Sequence, residues 1–321
     1  MVLIIIIAFF SLISLIIIHE LGHFLLAKRF GVKVEEFGIG YPPRLFGKKI
    51  GETIYSINLL PFGAFVKIYG QEKRIEDPRS FTTKPFWQKV LIIVAGVISF
   101  WIVAAILLSI VMGIGVPTII QDEENQGLVD PKIQITAIAS NSPAEKAGLK
   151  PGDTIMGISG TDINKVKEVQ GFTQAHKGEE IILTIRRGKE VFDVSLVPRV
   201  SPPENEGAMG VALARTALKS YPWYQAPIKG IVATGNLTLM IIKVWGTTIM
   251  NLFQGKGVPA GVEVKGIVGI FGLFIQVGAM GVSYFLQFIA MISVSLALIN
   301  ILPIPALDGG WLLFLVIEKL K

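Results

Sequence analysis

The most regular feature of the chain is a set of long apolar runs separated by polar segments. Three of these runs contain no charged residue, and they extend over Val2–Ile18, Val90–Ile120 and Gly266–Leu307. Because about 20 apolar residues are needed to cross a bilayer, the first two predict one spanning helix each. The third run predicts a shorter apolar helix followed by a span from about Tyr284, divided between Gly278 and Ser283.

A fourth apolar stretch, Asn236–Phe253, is interrupted by Lys243. A helix that crosses the membrane would place this ammonium group near the middle of the bilayer, which is costly. We therefore favour a helix that lies in the membrane interface over one that crosses. The chain is then expected to have about three spans.

Between the first two runs the pattern changes from helical to strand-like. Glycines and prolines divide Val32–Gly70, and the stretches Thr53–Leu60 and Ala64–Tyr69 flank Pro61-Phe62-Gly63. This predicts hairpin structure. The segment is too apolar for a solvated loop, so we expect it to be re-entrant or pressed against the membrane; an ordinary cytoplasmic hairpin is the alternative.

Residues Asp122–Arg199 have the composition of a soluble domain. Ile133–Ala139 alternates as a strand, and Ser142-Pro143-Ala144-Glu145 predicts a capped helix start with proline in the first position. Glu180–Arg186 is predicted to pair with Val191–Val197. These elements indicate a small β-rich domain of ~80 residues, followed by a linker from Pro202 to Pro227.

Composition identifies an integral membrane protein. The chain is 51% hydrophobic and 17% charged, where soluble domains carry about 25% charged residues. Residues 24–89 contain 12 basic and 6 acidic residues, whereas residues 121–226 contain 12 and 14. By the positive-inside rule the first segment is cytoplasmic and the second lies outside. Lys28 and Arg29 follow the first run, so we expect a retained helix with its N-terminus outside and not a signal peptide.

The candidate chemistry begins at His19-Glu20-Leu21-Gly22-His23. Two histidines one helical turn apart can bind one metal ion while the glutamate reaches a water molecule beside it. The chain has only three histidines, and ionisable groups beside a membrane span are expensive enough to indicate function. The third, His176, lacks neighbours with metal-binding spacing, so we expect a surface or turn residue.

A third metal ligand is expected at Asp308, where the last apolar run ends. No Lys or Arg occurs between Lys265 and Lys319, so a metal ion is the available positive partner for this carboxylate. Two histidines and one carboxylate leave a position open for water, as in catalytic zinc sites. Iron also uses this ligand set, but the His-Glu-x-x-His spacing favours zinc and peptide hydrolysis with Glu20 moving the proton.

A helical substrate must be unwound before it can be cleaved, because its amides are bonded within the helix. Asn300 precedes a proline-rich break and could hold such an unwound backbone. A hydrogen bond that only packs helices together is the equal alternative for this amide.

These motifs resemble the site-2 protease family of intramembrane zinc metalloproteases, within it the bacterial regulator-of-sigma-E protease type. The resemblance rests on His19–His23, Leu60–Lys67, the PDZ-like segment Ser142–Asp153 and Asn300–Gly310, which follow the family order over most of the chain. It implies an α-helical integral membrane protein with about three spans, a membrane-associated β-hairpin region and one inserted extracytoplasmic PDZ-like domain. The expected divisions are 1–30 (first span), 31–88 (hairpin and loop), 89–120 (second span), 121–200 (PDZ-like domain), 201–280 (linker and interfacial helices) and 281–321 (third span with Leu-Asp-Gly).

The resemblance also implies roles for individual residues. His19, His23 and Asp308 would bind Zn²⁺, and Glu20 would be the catalytic base. The β-structure Thr53–Gly70 beside the site would engage substrate. Together with the break after Asn300, this leads us to expect substrate-binding positions at Phe62, Gly63, Asn300, Pro303 and Pro305. The expected partners are single-span membrane proteins, such as anti-sigma factors or remnant signal peptides, and the lipid bilayer, with no nucleic acid. The expected location is the bacterial plasma membrane.

Two features depart from the family pattern. Such proteins commonly have a fourth span after the Leu-Asp-Gly motif, whereas this sequence ends at Lys321. The family's Gly-Pro-containing segment before the third span is replaced by Lys265-Gly266-Ile267-Val268-Gly269. A different class of function, a membrane-anchored PDZ adaptor without proteolytic activity, is the alternative; the complete His, Glu, His and Asp set argues against it.

Overall fold

The computed structural model describes residues 2–124, 129–203, 206–257 and 267–320. The helices in chain order are α1 (Val2–Arg29), α2 (Phe86–Ile114), α3 (Pro143–Lys146), α4 (Val166–Ala175), α5 (Ala226–Phe253), α6 (Ile267–Met280), α7 (Val282–Asn300) and α8 (Asp308–Leu320). The strands are β1 (Val34–Ile50), β2 (Thr53–Ile68), β3 (Val116–Ile119), β4 (Val129–Ile138), β5 (Thr154–Ile158), β6 (Thr161–Asp162), β7 (Ile181–Arg187), β8 (Glu190–Leu196) and β9 (Val211–Lys219).

The chain divides into two compact units. The first comprises Met1–Ser109, Pro227–Phe271 and Gln287–Lys321, and the second comprises Ile110–Ala226 and Gly272–Leu286. The first unit therefore holds most of the long helices and the β1–β2 pair, while the second holds the larger sheet.

Within the described residues, four helices are long and apolar enough to cross a membrane: Leu3–Arg29, Phe86–Ile114, Ala226–Phe253 and Val282–Asn300. The third of these differs from the expectation of a short interfacial helix from Asn236. It begins at Ala226 and has 28 residues, or about 42 Å at 1.5 Å per residue. Lys243 lies in its interior with an exposed side chain. The number of spans stays a prediction.

The long apolar run near the C-terminus is divided twice. Gly281, with a φ of +124°, separates α6 from α7 within the predicted interval. Residues 281–321, assigned to the third span and its Leu-Asp-Gly motif, contain two helices, α7 and α8. They are separated at the predicted break, because Pro303 and Pro305 interrupt the helix between Asn300 and Asp308. Of the segment that departs from the family pattern, Lys265 and Gly266 lie outside the described residues.

The predicted hairpin is confirmed. Each of its two strands contains a segment that pairs with two other segments. Residues 34–39 pair on one side with 54–57 and on the other with 64–68, while residues 44–50 pair with 53–58. The segment 64–68 is therefore an edge of this small sheet. Its placement relative to the membrane stays a prediction.

Seven strands of the described residues form one antiparallel sheet in the order β3-β9-β4-β5-β7-β8, with β6 paired to β5. Its core is formed by buried aliphatic side chains on β4, β5 and β7 together with Val169 of α4. As predicted, Ser142 caps α3, with its Oγ 3.1 Å from the N–H of Glu145.

The prediction of a linker from Pro202 to Pro227 is wrong for residues 211–219. These residues form β9, which lies between β3 and β4 in the sheet. The domain also begins earlier than residue 121, because β3 starts at Val116. A strand of this kind depends on partners from distant parts of the chain, so its local sequence is a weak signal. We call residues 116–219 the outer domain below, after the side of the membrane that the sequence predicts for it.

Candidate metal centre

Three side chains of the described residues converge on one point of the first unit. The Nε2 atoms of His19 and His23 lie 3.4 and 3.3 Å from Oδ2 of Asp308, and 3.3 Å from each other. Candidate ligand atoms of the three residues all lie within 4.8 Å of one another. Both histidines are buried, and Asp308 is the first residue of α8.

Two glycines let helix α2 approach the His-Glu-Leu-Gly-His turn closely. A Cβ atom at Gly22 would lie 2.5 Å from the carbonyl oxygen of Ala95, and one at Gly96 would lie 2.1 Å from Nε2 of His23. Contacts this short do not occur between real atoms. Glycine is therefore required at position 22, one of the two unspecified positions of the His-Glu-x-x-His motif.

The segment before Asp308 packs equally closely against the start of α8. A Cβ atom at Gly309 would lie 2.2 Å from the carbonyl oxygens of Ile301 and Leu302, and one at Gly310 would lie 2.3 Å from that of Ile304. The chain thus folds back on the start of α8 after the two prolines. This packing fixes the position of the Asp308 carboxylate.

The ring of His23 is oriented by helix α2. Its Nδ1 lies 2.9 Å from the carbonyl oxygen of Ile92, which can only accept a hydrogen bond. Nδ1 therefore carries the proton, and a lone pair on Nε2 faces the cluster. The ring of His19 stacks on Phe100, with centroids 4.7 Å apart and an interplanar angle of 16°.

The residues fit a metal ion because their lone pairs would otherwise repel one another. Oδ2 of Asp308 is buried and has no hydrogen-bond donor among the described residues. It faces the two Nε2 atoms, and a lone pair of His23 points the same way. A cation at the common point satisfies all three atoms, and two nitrogens with one carboxylate oxygen form the donor set of an open zinc site.

Glu20 lies beside this cluster on α1. Its carboxylate is half-buried and interacts electrostatically with both His23 and Asp308. The backbone of Val66, on the edge segment 64–68, also interacts with it. A carboxylate, three candidate metal ligands and a strand edge are therefore neighbours.

A second contact links the hairpin to α1, at the C-terminal end of this helix. Lys28 lies 3.0 Å from Oε1 of Glu52 in the β1–β2 turn, and Arg79 lies 3.4 Å from Oε2. The hydrogen bond from the Lys28 ammonium lowers the pKa of the Glu52 carboxyl, so this link stays ionised at neutral pH. It holds the turn beside the end of the helix that carries the histidines.

The other expected site residues lie around this cluster in different settings. Nδ2 of Asn300 donates to the carbonyl oxygen of Leu296 at 2.9 Å, a bond within its own helix. Phe62 is 66% exposed and makes an edge contact with Phe9, and Gly63 has a φ of +116° that favours glycine. Pro303 and Pro305 lie in the break before Asp308. His176 ends α4, where Nδ1 lies 2.9 Å from the carbonyl oxygen of Phe172.

Sequence reasoning missed the contribution of α2. Ile92, Gly96 and Phe100 recur on one side of this helix and contact the two histidines. Gly96 was the available signal, because a glycine inside an apolar helix often marks close packing.

Known proteins are similar to this chain over most of its length. The profile described as Peptidase family M50 matches residues 7–321. The chain is 35% identical to a candidate zinc metalloprotease of Clostridium acetobutylicum, over 98% of this chain and 87% of that protein. It is 27% identical to the regulator of sigma-W protease RasP of Bacillus subtilis, over 96% of this chain and 88% of that protein.

Among solved structures, the chain is similar to the PDZ domain of an SdrC-like protein from Listeria monocytogenes. That similarity has a TM-score of 0.23 and 17% identity, and it covers 26% of this chain and 86% of that one. The match to the family profile over nearly the whole sequence is the decisive finding. The chain belongs to peptidase family M50, the site-2 protease family, and is a zinc-dependent membrane metalloprotease.

Proposed function

We propose that this protease hydrolyses peptide bonds within or near the transmembrane segments of single-span membrane proteins. Substrates of this class include anti-sigma factors and remnant signal peptides, which are cut during regulated intramembrane proteolysis. The observation that carries the proposal is the convergence of His19, His23 and Asp308 beside Glu20, because helix α1, which carries both histidines and Glu20, has the length and composition of a membrane span.

In this proposal His19, His23 and Asp308 hold zinc. When bound, the metal polarises a substrate carbonyl and makes water more acidic. Glu20 accepts a proton and returns it to the leaving amine, for which its position one residue after His19 is suited. The bond between His23 and the carbonyl of Ile92 keeps Nε2 directed at the metal.

The edge segment 64–68 supports a mode of substrate binding. A substrate segment that has been unwound can add to this edge as a further strand, which satisfies backbone groups that its helix no longer pairs. Val66 interacts with Glu20 from this edge, so an added strand would pass close to the carboxylate. We propose that Phe62 and Gly63 of the hairpin, with Asn300, Pro303 and Pro305, hold the unwound segment.

The charge distribution supports the topology. Residues 24–89 have twice as many basic as acidic residues, 12 against 6, which favours the cytoplasmic side of a bacterial plasma membrane. Residues 121–226 carry 12 basic and 14 acidic residues, and we place the outer domain on the extracytoplasmic side.

The proposal is tested by co-expressing the protein with a panel of tagged single-span proteins, in parallel with Glu20→Gln. The variant should retain zinc, because no ligand is removed, and should lose cleavage by about 10²- to 10⁴-fold, the usual contribution of a proton-transfer group. Full activity in the variant would remove Glu20 from the mechanism. Cleavage confined to soluble substrates would refute the proposed substrate class.

A further inference from the structure

One face of the β1–β2 sheet carries large side chains in two rows that cross three of its segments. Paired residues of neighbouring segments share a face of the sheet, and so do residues two apart along one segment. By this rule the first row contains Phe37, Tyr55 and Lys48, and the second contains Ile39, Ile57 and Phe46. Both rows are therefore apolar or aromatic except for one cation, Lys48.

This face of the sheet and helix α1 form a groove. The ring of Phe24 on α1 makes edge contacts with Phe37 and Tyr55, with centroids 5.4 and 6.0 Å apart. Leu21, one turn earlier on α1, also lines the groove, and its volume is about 320 Å³. Sites for small molecules begin at about 300 Å³. The groove is therefore large enough for a slender apolar group and too small for a folded protein element.

The contacts between α1 and the hairpin give the depth of the groove. They extend from the ring contact of Phe9 with Phe62 to the ion pair of Lys28 with Glu52. The hairpin therefore runs beside α1 for about 28 Å at 1.5 Å per residue. Phe24 lies four residues, or about 6 Å, before Lys28. Because α1 has the length and composition of a span, the groove lies just inside the end of that span, where acyl chains meet lipid headgroups.

Lys48 supplies a positive charge that no acidic residue of the hairpin neutralises. Its side chain is exposed and forms no ion pair with the residues that the structure describes. The glutamates of the hairpin are paired with other basic residues: Glu35 with Lys67, Glu36 with Arg44, and Glu52 with Lys28 and Arg79. The flexible stem of a lysine lets its ammonium group reach the headgroup level from an apolar surface. The Tyr55 hydroxyl, in the same row, is a further donor for an anionic group.

We infer that this groove binds one acyl chain of an anionic phospholipid, and that Lys48 and Tyr55 hold the phosphate group of the same lipid. A lipid is the occupant that matches both parts of the site. The apolar rows and α1 match hydrocarbon, and the cation without an acidic partner matches the phosphate. The inference does not depend on which substrate the protease cleaves. Only the leaflet that supplies the lipid, the cytoplasmic one, follows from the proposed topology.

The test is a titration of the full-length protein in detergent with phosphatidylglycerol or with phosphatidylcholine of identical acyl chains. Native mass spectrometry resolves the first lipid that each protein molecule retains. We expect the anionic lipid to bind about fivefold more tightly than the neutral one, the usual contribution of one basic residue near an anionic lipid surface. Lys48→Met should remove this preference and leave phosphatidylcholine binding unchanged. Lys48→Arg should keep the preference, because the cation remains.

Three further variants separate the groove from the surface charge of the hairpin. Lys49→Met is the matched control, because it removes the same charge from the opposite face of the sheet, and it should keep the preference. Ile57→Trp fills the groove and should weaken the binding of both lipids. Phe46→Ala, at a residue that is 62% exposed on an edge segment, should act in the same direction. An unchanged circular dichroism spectrum and zinc content show that each variant is folded.

Several results would overturn the inference. Equal affinity of the parent protein for the two lipids, or equal effects of Lys48→Met and Lys49→Met, would show that no phosphate is held at Lys48. Unchanged lipid binding in both groove variants would place the lipid elsewhere. A dimer that the groove variants abolish, with lipid binding intact, would assign the groove to a second copy of the chain. Because binding is read without a protein substrate, none of these results bears on whether the protease cleaves single-span substrates.

Discussion

Gly96 and His23 are in such close contact that the smallest additional side chain would displace the histidine. A Cβ atom at position 96 would lie 2.1 Å from Nε2 and 2.4 Å from Cε1 of His23. The same ring is bonded to the carbonyl of Ile92, one turn earlier on α2. One helix therefore both orients a candidate zinc ligand and leaves room for it.

We predict that Gly96→Ala loses zinc and activity together, because the ring cannot keep its position. A displaced ligand should cost at least the roughly 10- to 100-fold in metal affinity that loss of a supporting partner costs. Zinc content of the purified protein at limiting metal is the measurement. The matched control is Gly246→Ala in α5, where nothing lies within 4 Å of the added atom and zinc content should not change. Normal zinc binding by Gly96→Ala would contradict the close contact.

Asp308→Asn should also weaken zinc binding. The amide keeps the size of the side chain but replaces an anionic ligand with a neutral one, so we expect a loss of more than about 100-fold, beyond that for a supporting partner. A competition titration with a chelator measures it. Glu318→Gln on the same helix, whose side chain pairs with Lys89 at 3.6 Å, is the control and should retain zinc. Unchanged affinity in Asp308→Asn would place the third ligand elsewhere.

Removal of the outer domain separates two hypotheses for its role. If the domain excludes substrates with bulky outer parts, its loss should permit their cleavage; if it docks trimmed substrates, its loss should slow their cleavage. We favour exclusion, because a folded neighbour excludes by size whatever its sheet binds. Continued rejection of bulky substrates by the deletion variant would refute it.

The structure fixes the limits of that deletion. Residues 115–220 must be removed together, because β3 and β9 pair with each other and would otherwise be left exposed. A short flexible linker suffices, since the N–H of Tyr221 bonds to the carbonyl of Met112 at 2.8 Å. Tyr284→Phe in the intact chain is the control, because its hydroxyl bonds to Gln134 of this domain at 3.3 Å and the deletion removes that contact as well.

Arg187→Met should destabilise the outer domain by about 3 kcal/mol, since it leaves the buried Asp153 carboxylate without its cation. Nε and Nη2 of Arg187 lie 2.6 and 2.7 Å from the two oxygens of Asp153. The control is Arg186→Met, where the pair with Asp130 spans 3.7 Å at the surface and should contribute less than about 1 kcal/mol. Amide hydrogen exchange of β5 and β7 in the full chain gives both values, and equal losses would contradict the prediction.

The Arg187 side of this pair should stabilise the domain independently of pH between about pH 7 and 9. The hydrogen bond to Asp153 raises the pKa of Arg187 above its usual value. A cation with a raised pKa contributes its stability below the unfolded value, and that contribution is lost only as the pH rises through the folded value. A difference between the parent and Arg187→Met that shrinks between about pH 7 and 9 would contradict this sign.

The sequence by itself determined the features that depend on neighbours along the chain. Uncharged runs identify apolar helices, the His19–His23 spacing places two rings on one face of α1, and Pro303 with Pro305 ends a helix before Asp308. The β1–β2 hairpin and the cap of α3 at Ser142 follow from turn and capping residues. Each of these signals acts over one or two turns of backbone, so a single sequence carries it.

Only the tertiary structure decided which distant segments meet. The place of β9 between β3 and β4 depends on strands far away in the sequence, and residues 211–219 read locally as part of a linker. The same holds for the contact of Gly96 with His23 and for the double pairing of residues 34–39. Long-range packing and strand pairing are set by the shapes and free backbone groups of both partners, and neither partner's local pattern contains them.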